Sequence, residues 1–406
     1  MRDTTQPVFV VHEPASTGGG RPLLYAARRL GYRPVIACAR PDRFPWIEAE
    51  SAEKLITDTT DTAKVISSYR QLAERHRVVG MFCPLDALVE QAAIVARTLG
   101  LPGPDPAVVG LARSKARQRQ ALADAGVDSV RYAVVQTESA AVEAAGRIGF
   151  PVVAKPTGST GSQGAALCAD EMSVRRQFDR IWKTDWNRSV WNREVLIEQA
   201  IPGPMFAIGT FDGRFVYACS ERFGTFPNLV VTRHDYPADI GASDMSELAA
   251  FAEAVVRTLQ LTWGPIDMEV KYSPDDKRFH LIEVNPRIMG GKLCDLIWHA
   301  TGIDLASGTI ERCLGLTPDM KPSRARAASA RYILRGEYNA SAHQVVLPGD
   351  LFPNVVAAEY PADSQGESSG DYRDRIGWVI AVTDHQPAAL DEAERAVAFL
   401  SAGRTV

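Results

Sequence analysis

The chain of 406 residues has little that would attach it to a membrane or to nucleic acid. No apolar run approaches the roughly 18 residues of a spanning helix, and the first residues lack the apolar core of a signal peptide. The formal net charge is −4, so basic residues are not in excess and a nucleic-acid partner is disfavoured. We therefore expect a cytoplasmic protein that acts on small molecules.

Cysteine is scarce, and several common motifs are missing. The six cysteines form no C-x-x-C pair, which predicts reduced core thiols and neither a disulfide framework nor a zinc site. The glycine-rich segment from Pro151 to Cys168 is followed by no G-K-[ST] and contains no G-x-S-x-G, and no G-x-G-x-x-G follows the first strand. These absences exclude a Walker loop, a dinucleotide fingerprint and a serine hydrolase elbow at those positions.

The most informative segment is H-L-I-E-V-N-P-R-I-M-G-G, from His280 to Gly291. Read as a strand, it places Glu283 and Asn285 on one face, because alternate side chains of a strand point the same way. Their oxygen atoms suit Mg²⁺, and the guanidinium of Arg287 suits a phosphate undergoing transfer. The alternative for this segment alone is a half-buried strand that ends in a polar turn.

A second segment, G-P-I-D-M-E-V-K-Y from Gly264 to Tyr272, alternates apolar and polar residues and predicts a strand with one buried face. Turn residues at 273–277 join it to the first segment, so the two read as a hairpin. Glu269 can then lie beside Glu283, and a shared divalent cation is the commonest reason for two carboxylates to pack together. Asp267 on the same face is the alternative first ligand.

A glycine-rich segment, P-V-V-A-K-P-T-G-S-T-G-S-Q-G, runs from Pro151 to Gly164. It reads as a strand that carries Lys155, followed by a loop whose glycines let backbone N–H groups approach phosphate oxygens. On its own, such a segment is more often a flexible turn than a binding site. The binding candidates of this loop are Thr157, Gly158, Ser159, Thr160, Gly161 and Ser162.

In this order and spacing, the three segments resemble the ATP-grasp superfamily of carboxylate–amine ligases, over most of the chain. The specific part is E-V-N-P-R with the upstream G-x-x-x-x-E. The resemblance implies that Lys115 and Lys155 bind phosphate and that the loop from Thr157 to Gly164 closes over the triphosphate. It also implies an adenine-binding hinge, in which Glu198 and the adjoining backbone contact the edge of adenine that carries the amino group. The hinge residues are Glu198, Gln199, Ala200 and Ile201.

One position departs from the family pattern. Met205 stands where related ligases usually carry an acidic residue that holds the ribose hydroxyls. A thioether is a poor hydrogen-bond acceptor, so the group that holds the ribose stays open.

The chain begins with alternating strands and helices, which predicts a doubly wound parallel sheet. Together with the resemblance, this gives an α/β protein of ATP-grasp fold with four parts. We expect an N-terminal domain at residues 1–112, a small lid lobe at 113–197, a large metal-binding lobe at 198–322, and a C-terminal β-rich subdomain at 323–406 that completes the large lobe. The polar segment from Pro361 to Asp371 is predicted to be a mobile loop.

The resemblance implies an ATP-dependent, ADP-forming carbon–nitrogen ligase. Its expected cofactors are ATP and Mg²⁺, with Mn²⁺ as a substitute, and its expected metal ligands are Glu269, Glu283 and Asn285. Lys155 and Arg287 are the expected catalytic residues, since Arg287 would bridge the substrate carboxylate and the transferring phosphoryl group.

The expected product is an amide or peptide bond between a small carboxylic or amino acid and an amino acid, formed through an acyl phosphate. The expected setting is specialised metabolism. The expected partners are the two small substrates and, as an option, a second copy of the chain in a homodimer. Two alternatives stay open. One is a bicarbonate-activating carboxylase-type enzyme, and the other is a nucleotide-binding protein without catalysis, for which Met205 is the sole sequence argument.

Overall fold

The computed structural model describes residues 6–15, 19–44, 46–158, 163–184, 193–224, 230–335, 337, 347–360 and 372–402. In these ranges the strands form three sheets, one parallel and two antiparallel. The predicted loop from Pro361 to Asp371 lies outside the described residues.

The N-terminal sheet is parallel, with strand order β3-β2-β1-β4. Its strands are β1 (Val8–His12), β2 (Arg33–Cys38), β3 (Glu53–Ile56) and β4 (Val78–Phe82). The neighbouring helices are α1 (Gly20–Arg29), α2 (Trp46–Ala49), α3 (Thr62–Arg75) and α4 (Val89–Thr98). The continuous apolar runs of β1 and β2 are buried, as expected of parallel strands covered on both faces. The short, partly exposed β3 was not predicted, because its E-K-L-I sequence lacks such a run.

The small antiparallel sheet has strand order β5-β8-β6-β7. Its strands are β5 (Tyr132–Val135), β6 (Val152–Pro156), β7 (Ala166–Cys168) and β8 (Val195–Gln199). The helices of this region are α5 (Pro106–Ala112), α6 (Lys115–Asp124), α7 (Glu138–Ile148) and α8 (Glu171–Lys183). The hydroxyl of Ser114 accepts a hydrogen bond from the Arg117 N–H and caps α6, so Lys115 begins that helix.

The large antiparallel sheet has strand order β13-β12-β9-β10-β11-β14-β16-β15. Its strands are β9 (Met205–Phe211), β10 (Arg214–Phe223), β11 (Val231–Tyr236), β12 (Pro265–Ser273), β13 (Arg278–Asn285), β14 (Ala327–Leu334), β15 (Val355–Glu359) and β16 (Arg375–Thr383). The helices are α9 (Ala242–Thr258), α10 (Leu293–Thr301), α11 (Leu305–Cys313) and α12 (Gln386–Ser401). The last three strands of the chain therefore extend the sheet that contains the predicted hairpin.

The predicted hairpin is confirmed. Strands β12 and β13 pair antiparallel, with Glu269 opposite Glu283 and Asp267 opposite Asn285. On the other side of β12, strand β9 places the small residue Ala207 opposite Glu269. The side chains of Asp267, Glu269, Glu283 and Asn285 are thus adjacent. The small side chain of Ala207 leaves space beside Glu269.

The six cysteines are buried and free, as predicted. None of the helices in the described part of the chain is long and apolar enough to cross a membrane.

Candidate active site

One cavity of about 130 Å³ brings the predicted hairpin residues together with groups from distant parts of the chain. Its lining includes the metal candidates and Arg287, the loop after β4, and strands β10 and β11. The polar and charged residues that line it are Asp86, Glu221, His234, Asp267, Glu269, Glu283, Asn285, Arg287, Tyr372 and Arg375.

The cavity carries a surplus of buried negative charge. Burial raises the pKa of Glu269 well above its usual range, and the nearby carboxylates of Glu221 and Glu283 raise it further. Burial also raises the pKa of Asp267 to about 6, although Arg287 opposes that shift. One carboxylate oxygen of Glu221, Oε2, is buried without a hydrogen-bond partner. Such a group is costly unless a cation compensates it.

This donor set fits Mg²⁺. Carboxylate and carboxamide oxygens are its preferred protein ligands, and Glu269, Glu283 and Asn285 would hold it here. In this structure Lys115 supplies the counter-charge instead, with its Nζ 2.9 Å from Oε1 of Glu283. Across the described ranges, no three His, Cys, Asp or Glu side chains converge into a preformed metal site. The individual metal ligands therefore stay predictions.

Both predicted phosphate-binding lysines are buried: Lys115 contacts the hairpin through Glu283, and Lys155 lies on β6 of the small antiparallel sheet. Lys155 forms an ion pair with Glu198, and Arg119 donates to the other oxygen of Glu198 at 3.1 Å. Burial lowers the pKa of Lys155, the Glu198 carboxylate opposes this, and the nearby Arg119 and Lys115 lower the pKa further. Both carboxylate oxygens of Glu198 are thus engaged by cations, so its predicted contact with the adenine amino group stays a prediction.

The structure describes the other hinge candidates but only two of the loop candidates, Thr157 and Gly158. The carbonyl of Ile201 accepts a hydrogen bond from Nζ of Lys271 at 2.7 Å, and Thr157 is buried beside β6. The carbonyl of Gly158 accepts from Arg113 at 3.4 Å. Of the predicted loop residues, Ser159, Thr160, Gly161 and Ser162 lie outside the described residues.

Arg287 is fixed between two carboxylates. Its Nε and Nη2 donate to the two oxygens of Asp86 at 2.8 and 2.9 Å, and its Nη1 donates to Asp267 and to the Ile288 carbonyl. Burial disfavours its charge, but Asp86 and Asp267 outweigh burial and raise the pKa of Arg287 above its usual range. These four hydrogen bonds use four of the five guanidinium N–H groups and leave one for a substrate.

Sequence reasoning did not identify Asp86 as a site residue. It follows the carboxyl end of β4, where parallel sheets bind ligands, and this position was the available signal.

A hydrogen-bonded pair of side chains was also missed. His234 was not identified as a site residue from the sequence, yet it lines the cavity and its Nε2 lies 3.0 Å from Oε1 of Glu221. Its Nδ1 lies 3.2 Å from the hydroxyl of Tyr332, which already accepts the Lys292 backbone N–H. Because the Glu221 carboxylate can only accept, Nε2–H donates to it, and with this tautomer Nδ1 accepts from the Tyr332 hydroxyl. No motif spacing could reveal this pair, since its members face each other across adjacent strands.

Met205 is buried at the start of β9. It lies opposite Glu221 on one neighbouring strand and opposite Lys271 on the other. Polar side chains thus flank the thioether on both sides, at the position where the sequence left the ribose contact open.

A profile described as an ATP-grasp domain matches residues 148–295, which include Lys155, Glu198 and the hairpin. Residues 148–295 therefore match the ATP-grasp domain family. An uncharacterised protein of Sinorhizobium fredii, y4rH, is 28% identical over 403 residues, which cover 97% of this chain and 82% of that protein.

Two named relatives match a smaller part of this chain. Carnosine synthase 1 of Gallus gallus is 28% identical over 257 residues, which cover 59% of this chain and 27% of that enzyme. A D-alanine–D-alanine ligase of Pseudomonas fluorescens is 26% identical over 204 residues, covering 48% of this chain and 60% of the relative. The chain thus spans less than two thirds of either enzyme.

Solved structures agree with the ATP-grasp fold. The L-amino acid ligase from Bacillus licheniformis has a TM-score of 0.78 at 16% identity, covering 97% of each chain. The biotin carboxylase domain of the Hydrogenobacter thermophilus 2-oxoglutarate carboxylase, in complex with MgADP, ADP and bicarbonate, has a TM-score of 0.76 at 15% identity and covers 97% of this chain and 89% of that one. At these identities the likeness shows the fold alone.

The predicted family and fold class are therefore confirmed. The predicted enzyme class, an ATP-dependent ligase, and the predicted cofactors, ATP and Mg²⁺, are those of the family.

Proposed function

We propose that this ATP-grasp protein joins a small carboxylic or amino acid to an amino acid through an acyl phosphate and releases ADP and phosphate. The observation that supports this most strongly is the convergence of Arg287, the hairpin carboxylates and Glu221 in one cavity. An arginine that orients a carboxylate, oxygen ligands for a metal and a buried carboxylate that can accept a proton are the groups such a ligase needs.

The first chemical step would activate the acid. A carboxylate oxygen of the substrate attacks the γ-phosphorus of ATP, and the bond to the ADP oxygen breaks. Bound Mg²⁺ would neutralise charge on the phosphates. Lys115 and Lys155 would add fixed positive charge beside the phosphates, and the remaining N–H of Arg287 is available to orient the acid.

The second step would form the amide bond. The amine attacks the carbonyl carbon of the acyl phosphate, and phosphate leaves. Because an ammonium group must lose a proton before it can attack, a base has to lie in the same cavity. Glu221 is suited to this task, since its Oε2 is buried there without a hydrogen-bond partner and its Oε1 is held by His234.

The test is a matrix of candidate acids with hydroxylamine as the acceptor, in which ADP and hydroxamate are both measured. The correct acid should give ADP and a hydroxamate in equal amounts. ADP release that depends on bicarbonate, without any hydroxamate, would identify a carboxylase-type enzyme instead. AMP as the nucleotide product, or no product with any acid, would overturn the proposal.

A further inference from the structure

A second cavity of about 410 Å³ adjoins the first. The two share Ala15 of the N-terminal domain, Gly291 after the hairpin, and Tyr372 and Arg375 at the start of the last strand. A molecule that reacts in the first cavity can therefore extend into the second.

The two cavities carry charge of opposite sign. The first is lined by five carboxylates and two arginines, whereas the second is lined by four cationic side chains and one carboxylate, Glu359. The four cations of the second cavity are Arg21, Lys292, Arg373 and Arg375. Arg21 is the one that pairs with Glu359, at 3.4 Å. The second cavity thus favours an anion, and the first favours a cation.

Arg375 is the group that most clearly lacks an anionic partner. Among the described residues it forms no ion pair, and its Nε is buried without a hydrogen-bond partner. Its guanidinium carbon lies 4.8 Å from the centroid of the Tyr332 ring. Stacking on a ring does not satisfy the N–H groups of a guanidinium, because they point outward in its plane. Arg375 can therefore still donate hydrogen bonds to a bound anion.

Lys292 is placed in a similar way. Its Nζ lies 4.0 Å from the centroid of the Trp378 ring and 3.7 Å from the carboxylate of Asp295. Burial lowers the pKa of Lys292, with the Asp295 carboxylate opposing the shift. A bound carboxylate would compensate the desolvation of this ammonium group more fully than Asp295 does.

Gly291 allows the two cavities to meet. Its φ of +64° is a left-handed conformation, and an added Cβ would lie 2.4 Å from the Tyr332 hydroxyl oxygen and 3.5 Å from Nη1 of Arg375. A side chain here would displace the hydroxyl of Tyr332, which lines the second cavity, and would contact Arg375, which lines both cavities.

We propose that the second cavity binds the carboxylate of the amino-acid acceptor through Arg375 and Lys292, while its amino group lies in the first cavity beside Glu221. This inference rests on the proposed ligase function and adds the residues that select the acceptor. A zwitterion placed across two cavities of opposite charge has one favourable orientation, with its amine toward Arg287 and the acyl group. An acceptor amine that lacks a carboxylate cannot pair with Arg375 and Lys292, so it should be a poorer substrate.

The experiment compares three acceptors with the acid identified by hydroxamate formation: an amino acid, the same amino acid as its carboxamide, and hydroxylamine. For the unmodified enzyme, the carboxamide should have a kcat/KM at least thirtyfold below that of the amino acid. In Arg375→Ala this preference should fall below threefold, and in Lys292→Met it should shrink in the same direction. Loss of preference, rather than loss of rate, separates carboxylate binding from a structural role.

Arg147→Ala serves as the control, because this exposed arginine lines neither cavity and, among the described residues, pairs only with Glu143 on its own helix. It should retain the full preference for the amino acid. If the unmodified enzyme forms the hydroxamate yet uses the amino acid and its carboxamide equally, this inference is wrong and the ligase function stands. An undiminished preference in Arg375→Ala would also overturn it. If no acid gives a hydroxamate, the ligase function itself fails.

Discussion

The two sides of the cleft balance their charges differently. On the small-sheet side, the cations Lys155 and Arg119 are both paired with Glu198, and all three side chains are buried. On the hairpin side, carboxylates outnumber cations, and among the described residues no ion pair involves Glu269. The buried charges on the small-sheet side are thus balanced without a ligand, whereas those on the hairpin side are not.

This difference separates a side whose buried charges neutralise one another from a side whose buried charges do not. Buried charges that neutralise each other hold elements together, as Glu198 does between β8 and α6. Buried like charges that raise one another's pKa, as around Glu269, are costly to the fold, and such groups cluster at functional sites. Removing a carboxylate should therefore impair stability on the first side and catalysis on the second.

The largest effect is expected for Glu283→Gln on the hairpin side. The variant keeps the shape of the side chain but removes a predicted metal ligand, so turnover should fall by about a thousandfold or more, roughly 4 kcal/mol of transition-state stabilisation. Its thermal unfolding should change less than that of Glu198→Gln, because the lost ion pair with Lys115 is offset by the relieved repulsion from Glu269. Steady-state ADP release and calorimetry measure the two quantities. The exposed Glu247→Gln is the matched control, and comparable turnover in both variants would refute the metal assignment.

A smaller effect, on stability instead of chemistry, is expected for Glu198→Gln. The substitution leaves Lys155 and Arg119 buried without a counter-charge, which should lower the free energy of unfolding by about 3 kcal/mol. Denaturant unfolding in the absence of nucleotide measures this loss. If Glu198→Gln proved as stable as the unmodified protein while Glu283→Gln unfolded readily, the contrast between the two sides would be reversed.

The smallest effect is expected for Asp86→Asn, which tests how the N-terminal domain contributes to the hairpin side. The variant weakens the bidentate partner of Arg287 but leaves Asp267 in place, so kcat should fall about tenfold with little change in the KM for ATP. Kinetics at varied ATP concentration separate the two parameters. The exposed Asp42→Asn in the same domain should behave like the unmodified enzyme. An Asp86→Asn variant with an unchanged kcat would show that Arg287 is positioned adequately by Asp267.

The hairpin could be predicted from local sequence pattern alone. The period-2 alternation and the turn residues between the strands predicted both β12 and β13, and the observed register places Glu269 opposite Glu283 as expected. Strands of this kind are readable because burial of one face forces alternation and because the partner strand follows directly in the chain.

Long-range partners were not readable in the same way. Asp86 reaches Arg287 across 201 positions of sequence, and Arg119 reaches Glu198 across 79. His234 shows no ligand spacing along the chain, although it faces Glu221 across two strands. In each case the contact depends on which strand ends and helix starts meet in space, and no local pattern contains that information.

The sequence by itself determined the family, the parallel N-terminal sheet, the hairpin and the chemical types of the candidate site residues, because each follows from local periodicity or a compact motif. The tertiary structure decided how their charges are balanced: which carboxylates are paired, which oxygen of Glu221 is left without a partner, and that Arg375 borders both cavities. The physical reason is that pairing and burial of charge depend on distances between elements far apart in the chain, whereas periodicity and motif depend on neighbours.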